Sequence, residues 1–175
     1  MFLDGKPWEM RKILSYISLK RDMWLNGDPY STFAIYDLKN NNFIGTLNLF
    51  YRKDTFSEMG YNNVIEIGII IDFPQINKGI GRKIANIAKE YIELTLTKKP
   101  EESSTQEILT RLPPTGIVVT VHPKNEASLQ LIQKALTESK VSLFGGYSQE
   151  QPRKIFYAPL NSVSREHAPS FRARL

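Results

Sequence analysis

Apolar positions along this chain switch between two periods, and the switches mark the elements. Ile13, Leu14 and Ile17 share a face at helical spacing behind Pro7, a residue suited to a first helical turn, so residues 7–21 are predicted to form an amphipathic helix. Asn26-Gly27-Asp28-Pro29 is a turn. Period two then takes over. Thr32 to Tyr36 and Phe43 to Tyr51 predict an antiparallel hairpin around the polar turn 39–42, with Phe43, Leu47, Leu49 and Tyr51 on one face and Gly45 among them. After the polar loop 52–62, Val64 to Ile71 reads VIEIGIII, the β-branched run of a central strand covered on both faces. Ile80, Ile84, Ile87, Ala88, Tyr91 and Ile92 form one stripe and predict a helix over 79–94. Ile117 to Val121 is another buried strand. Pro123-Lys124-Asn125 turns into a helix with Ser128, Leu131, Ile132, Ala135 and Leu136 on its apolar side. Val141 to Phe144 and Lys154 to Leu160 predict two late strands around Gly145-Gly146.

Two stretches break the pattern. Residues 98–114 are charged, rich in Ser and Thr, and end in Pro113-Pro114. They read as an insertion, with a short helix fitting Gln106 to Arg111, and as the likeliest internal site of mobility and of tryptic cleavage at Lys98, Lys99 or Arg111. The tail 161–175 is polar and basic, with Arg165, Arg172 and Arg174 reading as a solvated end. No repeat and no second composition regime appear. The expectation is one domain over 1–160 with an insertion at 98–114, followed by the tail. Its class is α/β, with a single mixed, mostly antiparallel central sheet flanked by helices.

Composition narrows the chemistry. The 175 residues are 41% hydrophobic and 23% charged, an ordinary globular mix rather than a disordered one. With no Cys and only His122 and His167, disulfide frameworks and Cys- or His-built metal centres are set aside. No apolar run approaches a membrane span and the N-terminus lacks a secretion signal, so the expectation is a cytoplasmic domain without membrane partners. The net charge of +5 favours anionic partners, and the question is whether the cations gather where structure makes an anion site.

They do so at 66–83, EIGIIIDFPQINKGIGRK. A central strand runs into a short loop, and Gly79-Ile80-Gly81 opens a helix. A helix N-terminus leaves N–H groups unpaired and carries partial positive charge. Lys78, Arg82 and Lys83 crowd that end, an arrangement that opposes the dipole unless an anion binds. The glycines give a phosphate close access to the backbone. A phosphate or pyrophosphate site at 77–82 follows; the competing reading is a solvated basic turn with glycines for packing. Neither a P-loop nor a dinucleotide fingerprint fits, since the former's spacing is absent and Ile84 stands where the latter needs a third Gly.

At these residues the chain resembles the GNAT superfamily of acetyl-CoA-dependent N-acetyltransferases. The family's phosphate loop, Gln/Arg-x-x-Gly-x-Gly/Ala, is matched by Ile76-Asn77-Lys78-Gly79-Ile80-Gly81, and IEIGIII resembles the strand before it. VHPKNEASLQLIQKAL resembles the second half-motif through Asn125 and Ser128. FAIYDLKNNNFIGTLNLF is similar to the hairpin of the branch that includes ribosomal-protein N-terminal acetyltransferases. The resemblance spans roughly 31–160. It departs from the family at Ile76, with Gln75 and Pro74 each one place early. It departs again at the absent first strand, at the insertion, and at Ile132, where members often carry the Tyr that protonates the departing thiolate. Tyr61, Tyr147 and Tyr157 are the spatial alternatives for that Tyr.

The resemblance implies acetyl-CoA as cosubstrate and no metal. Its pyrophosphate would lie on Asn77, Lys78, Gly79, Ile80, Gly81 and Arg82. Its pantetheine would run along the strand edge at Ile69 and Ile71, with a contact from Asn125, which is also a natural N-cap. Glu66 is the catalytic candidate: alternation places it on one face with Val64, Gly68 and Ile70, where burial would poise it as a base for an ammonium acceptor. The other reading of Glu66 is a carboxylate salt-bridged to a Lys or Arg, or exposed. The function implied is acetyl transfer to a primary amine on a small molecule, peptide or protein by direct attack on the thioester. The alternatives are a non-catalytic CoA-binding regulatory protein and a basic protein that binds nucleic acid or ribosomes. Nucleic acid is disfavoured because no aromatics interleave Lys78, Arg82 and Lys83.

Overall fold

The hairpin read from alternation forms as β1 (Thr32–Asp37) and β2 (Asn42–Arg52), with Asn41 at a left-handed φ of 54° in the turn. β3 (Val64–Ile71) pairs antiparallel with β2 from Gly45 opposite Ile71 to Arg52 opposite Val64. Gly45 is required there, because a Cβ would collide with the Ile70 carbonyl oxygen. Around this meander lie α1 (Met10–Leu25), α2 (Ile80–Thr97), β4 (Gly116–Val121), α3 (Glu126–Ala135), β5 (Lys140–Phe144) and β6 (Arg153–Pro159). The sheet order is β1-β2-β3-β4-β6-β5. All neighbours are antiparallel except β3 and β4, which run parallel. This is the mixed, mostly antiparallel sheet that the pattern predicts.

The computed structural model describes residues 8–76, 78–97, 111–136, 140–144 and 152–160. Several expectations lie outside these residues: Pro7 as helix start, Asn77, residues 98–110 with the body of the short helix, the Gly145-Gly146 turn, and the tail 161–175. Among the described residues no helix is long and apolar enough to cross a membrane.

The two faces of the sheet differ in character. One face carries Leu47, Leu49, Ile65, Ile67, Ile117 and Val119, closed over by Ile84, Ala88 and Ile92 of α2 and by Ile132 of α3. Each Leu, Ile or Val among them, fully buried, contributes about 1.5–3 kcal/mol. The other face has a small apolar cluster, Phe56, Val64, Val118 and Ile155, beside a polar strip of Thr32, Asn48 and Glu66.

Three expectations are corrected. The Leu14 and Ile17 side of α1 points outward, at 58% and 57% exposure, while Tyr16 and Lys20 point in. The reason is the surface beneath: α1 lies on the polar strip, where Tyr16 reaches Thr32 and Asn48. Ile87 also leaves its predicted stripe and is exposed, because the core-facing side of α2 runs through Ile84, Ala88 and Ile92, with Ile80 and Tyr91 packed beside them. Arg111 is not part of a loose insertion. Its guanidinium makes a two-pronged pair with buried Asp28, at 3.0 and 3.2 Å, and the Leu112 carbonyl accepts from the Tyr51 hydroxyl at 2.9 Å.

Candidate active site

β3 and β4 pair over three positions only, Val64–Gly116, Ile65–Ile117 and Glu66–Val118. Past Glu66 and Val118 the two strands are not paired, so the sheet is open in its interior. The direction of the exposed backbone follows from the β2–β3 register. The Asp72 N–H donates to the Ile44 carbonyl at 2.8 Å, and in an antiparallel pair such exchanges alternate. Ile70, Gly68 and Glu66 therefore bond to β2, while Ile67, Ile69 and Ile71 turn their N–H and C=O groups toward β4. Among the described residues no strand pairs with that edge. Ile69 and Ile71 thus stand where an extended chain could add as a strand.

The loop after β3 leads to the start of α2. Asp72 caps a single 3-10 turn, Phe73–Gln75, by accepting from the Phe73 N–H at 3.0 Å. The displaced Gln75 accepts from Lys78 Nζ at 3.1 Å. Gly79 has a φ of +73° and nothing within 4 Å of its missing Cβ. The Lys83 N–H donates to its carbonyl at 3.4 Å, which makes Gly79 the helix cap and leaves the N–H groups of Ile80, Gly81 and Arg82 without helical acceptors. No acidic side chain stands in this first turn. Lys78, Arg82 and Lys83 are exposed, and none forms an ion pair among the described residues. The two glycines divide their work. Gly79 supplies the left-handed turn; Gly81 is a packing glycine, since a Cβ would lie 3.0 Å from Leu131 and 3.2 Å from Ile71. Asn77 of the same loop lies outside the described residues.

Glu66 is buried at 6% exposure on the polar face, with Val64, Gly68 and Ile70, as alternation predicts. Arg52 Nε donates to its Oε2 at 2.8 Å, and Thr120 Oγ1 donates to its Oε1 at 3.3 Å. The salt bridge to an arginine that the sequence reading allowed for Glu66 is present. Asn125 caps α3, its Oδ1 accepting from the Ser128 N–H at 3.1 Å, which accounts for the Asn-to-Ser spacing. His122 Nδ1 accepts from the Lys124 N–H at 3.2 Å in the turn before it. Ile132 is buried in the core. Tyr61 and Tyr157 stack at 4.1 Å, and the Tyr157 hydroxyl donates to the Thr115 carbonyl at the closed end of the β3–β4 junction, away from the opening. Tyr147 lies outside the described residues.

Sequence reasoning misses the polar group beside Gly68. Asn48 sits opposite Gly68 in the register; its Oδ1 accepts from Thr32 Oγ1 at 2.9 Å and from the Tyr16 hydroxyl at 3.3 Å. Lys20 lies one turn further along α1, over the Phe50 ring at 4.4 Å. The available signal was the polar half of each alternation. Thr46 and Asn48 interleave with Leu47 and Leu49, and Tyr16 and Lys20 are four apart on α1.

A family model described as an acetyltransferase (GNAT) domain matches residues 2–135. Comparison with curated proteins gives no match. Among solved structures, the chain is similar to a ribosomal-protein-S5-alanine acetyltransferase from Vibrio fischeri, with 14% identity, a TM-score of 0.57, and coverage of 87% of this chain and 70% of that one. It is similar to a spermidine N-acetyltransferase from Vibrio cholerae, solved with CoA and spermine, with 19% identity, a TM-score of 0.54, and coverage of 89% and 78%. A GNAT-family acetyltransferase from Streptococcus pneumoniae gives 15% identity, a TM-score of 0.56, and coverage of 90% and 80%. At these identities the likeness is one of fold.

Proposed function

This chain belongs to the GNAT acetyltransferase family, and on that premise we propose that it moves an acetyl group from acetyl-CoA to a primary amine, on a small molecule, peptide or protein, without a covalent enzyme intermediate. The observation that carries the reading is the opening of the sheet after Glu66 and Val118. It leaves the N–H and C=O groups of Ile67, Ile69 and Ile71 on an internal edge, suited to the amides of a pantetheine arm. One N–H of that edge would polarise the thioester carbonyl.

The residues present fit the rest of the cosubstrate. The left-handed Gly79 has open space around it, and the N–H groups of Ile80, Gly81 and Arg82 lead the helix beside Lys78, Arg82 and Lys83, none of them ion-paired among the described residues. That environment favours a pyrophosphate over the loop formed by Asn77 to Arg82. Asn125 holds the start of α3, and its side chain is committed to that cap. Its contact with the CoA arm would therefore pass through its remaining amide N–H groups.

Glu66 is the carboxylate proposed to take the ammonium proton, directly or through water, with Arg52 fixing one oxygen. A second reading, a non-catalytic acetyl-CoA-binding protein, draws on the buried Ile132 and on the Arg52–Glu66 pair. Calorimetry with acetyl-CoA, followed by transfer assays on peptides, polyamines and aminoglycosides, separates the two. Binding with transfer supports the enzyme, and binding without transfer to any amine supports the second reading. A chain stabilised by duplex or single-stranded nucleic acid instead of acetyl-CoA would overturn both.

A further inference from the structure

Lys20 is a buried cation that forms no ion pair among the described residues. It is 7% exposed, and the hydrogen-bond acceptor of its ammonium is the Met23 sulfur at 3.5 Å. Its other neighbours are the faces of Phe50 at 4.4 Å and Tyr16 at 5.6 Å. Two carboxylates stand in the region, and both are engaged. Asp28 accepts from Arg111 on both oxygens and from the Tyr30 N–H. Glu66 accepts from Arg52 and Thr120. Burial pushes the Lys20 ammonium below its ordinary range, and Asp28 only partly offsets this. Removing an ammonium from water with only partial charge compensation is costly, so the position calls for an anion that the described residues do not place against it.

The place of Lys20 ties that need to the opening. The Phe50 ring that carries Lys20 also carries the Arg52 guanidinium at 4.8 Å. Its Cε2 lies 3.9 Å from where a Cβ on Gly68 would stand. Gly68 is the first residue on this face past Glu66, the last β3 residue paired with β4. Lys20 is therefore one ring away from the unpaired stretch of β3. Around that ring two cations face one carboxylate.

We propose that Lys20 is the anion-recognising residue of the acceptor site, and that the acceptor is a primary amine bearing a carboxylate, as a free amino acid does. The proposal rests on the acetyl-transfer reading. A polyamine would instead bring a second ammonium against Lys20 and Arg52, and like charges there are unfavourable.

Matched pairs that differ only in the carboxylate test this: ornithine against putrescine, lysine against cadaverine, phenylalanine against phenethylamine. In the wild-type protein with acetyl-CoA, kcat/KM should favour the amino acid by about 10- to 100-fold, the worth of one charged hydrogen bond. Lys20→Met should bring that ratio near one, through KM rather than kcat. Equal use of both members, preference for the amines, or an unchanged ratio in Lys20→Met would overturn the proposal. So would an acetyl group found on Lys20 itself by peptide mass analysis. Calorimetric binding of the same pairs to wild-type protein saturated with CoA needs neither turnover nor a folded variant. If no amine is acetylated, the transfer reading fails by itself, and the binding ratio still decides the role of Lys20.

Discussion

Thr120 Oγ1 donates to Glu66 Oε1 at 3.3 Å, across the point where β3 and β4 cease to pair. The backbone ladder stops at Glu66 and Val118, and this side-chain bond carries the connection one step further. On the other flank, Arg52 of β2 holds Oε2 at 2.8 Å. One carboxylate thus ties three strands together at the base of the opening.

Glu66→Gln should leave acetyl-CoA affinity intact and lower turnover by roughly 10²–10⁴-fold, the usual worth of a positioned acid–base group. The deficit should shrink at high pH, where more of the acceptor amine is already neutral. Steady-state kinetics with calorimetry in parallel make the check. Full turnover near neutral pH would leave Glu66 a structural ion-pair partner, and a joint loss of affinity would make it a keeper of the opening.

Gly79 separates backbone strain from charge. Gly79→Ala places a side chain at a φ of +73° and should cost about 1–2 kcal/mol of stability while retaining acetyl-CoA binding. Gly79→Glu carries the same strain and adds a negative charge at the helix start, so it should abolish binding. Equal affinity in the two variants by calorimetry would place the phosphates elsewhere.

Trypsin should spare Arg111 in the native protein, because its guanidinium is held by Asp28 and is only 14% exposed. Asp28→Asn weakens that pair and should make Arg111 an early site, read from fragment masses. Early cleavage at Arg111 in the wild type would show the pair to be weak in solution.

Tyr91 donates to the Pro29 carbonyl at 3.0 Å, and burial pushes its hydroxyl up to about 12, with Tyr30 and Asp28 adding to the shift. An unfolded Tyr ionises near its ordinary 10.0. Through the window from 10 to about 12 the folded chain holds the extra proton, so stability falls as pH rises. Tyr91→Phe should flatten that alkaline loss and cost about 1 kcal/mol at neutral pH. Lys20, shifted downward, acts with the opposite sign: stability rises with pH until its ordinary 10.5 is passed. Denaturant titrations at several alkaline pH values, with Tyr91→Phe and Lys20→Met, resolve the two contributions.

The strands were legible because alternation is a local signal, and VIEIGIII announced both a central strand and the side of it that carries Glu66. The Asn125 cap was legible for the same reason, since its acceptor and donor are three residues apart. The partner of Glu66 was not. Arg52 lies fourteen residues away, and only the β2–β3 register, set through the loop 53–63, makes the two diagonal neighbours. α1 shows a second limit. Periodicity finds two sides of a helix, yet the composition of the sheet beneath decides which side turns in, and here the polar strip drew Tyr16 and Lys20. The split roles of Gly79 and Gly81 required knowledge of where Leu131 and Ile71 lie.

The short parallel junction also has a consequence for how the chain assembles. β1, β2 and β3 follow one another through short loops, and β4, β5 and β6 are gathered in the last third of the chain. The first triplet closes small loops and the second closes across residues 122–152, whereas joining β3 to β4 must span residues 72–115, the longest closure between neighbouring strands of the sheet. Three residue pairs offer little reward for that step. The two triplets should therefore form first, with the seam between them closing last. In pulse-labelled hydrogen exchange during refolding, the amides of Leu47 and Leu49 should gain protection before those of Ile65 and Val118, whose N–H groups face one another's strand across the seam.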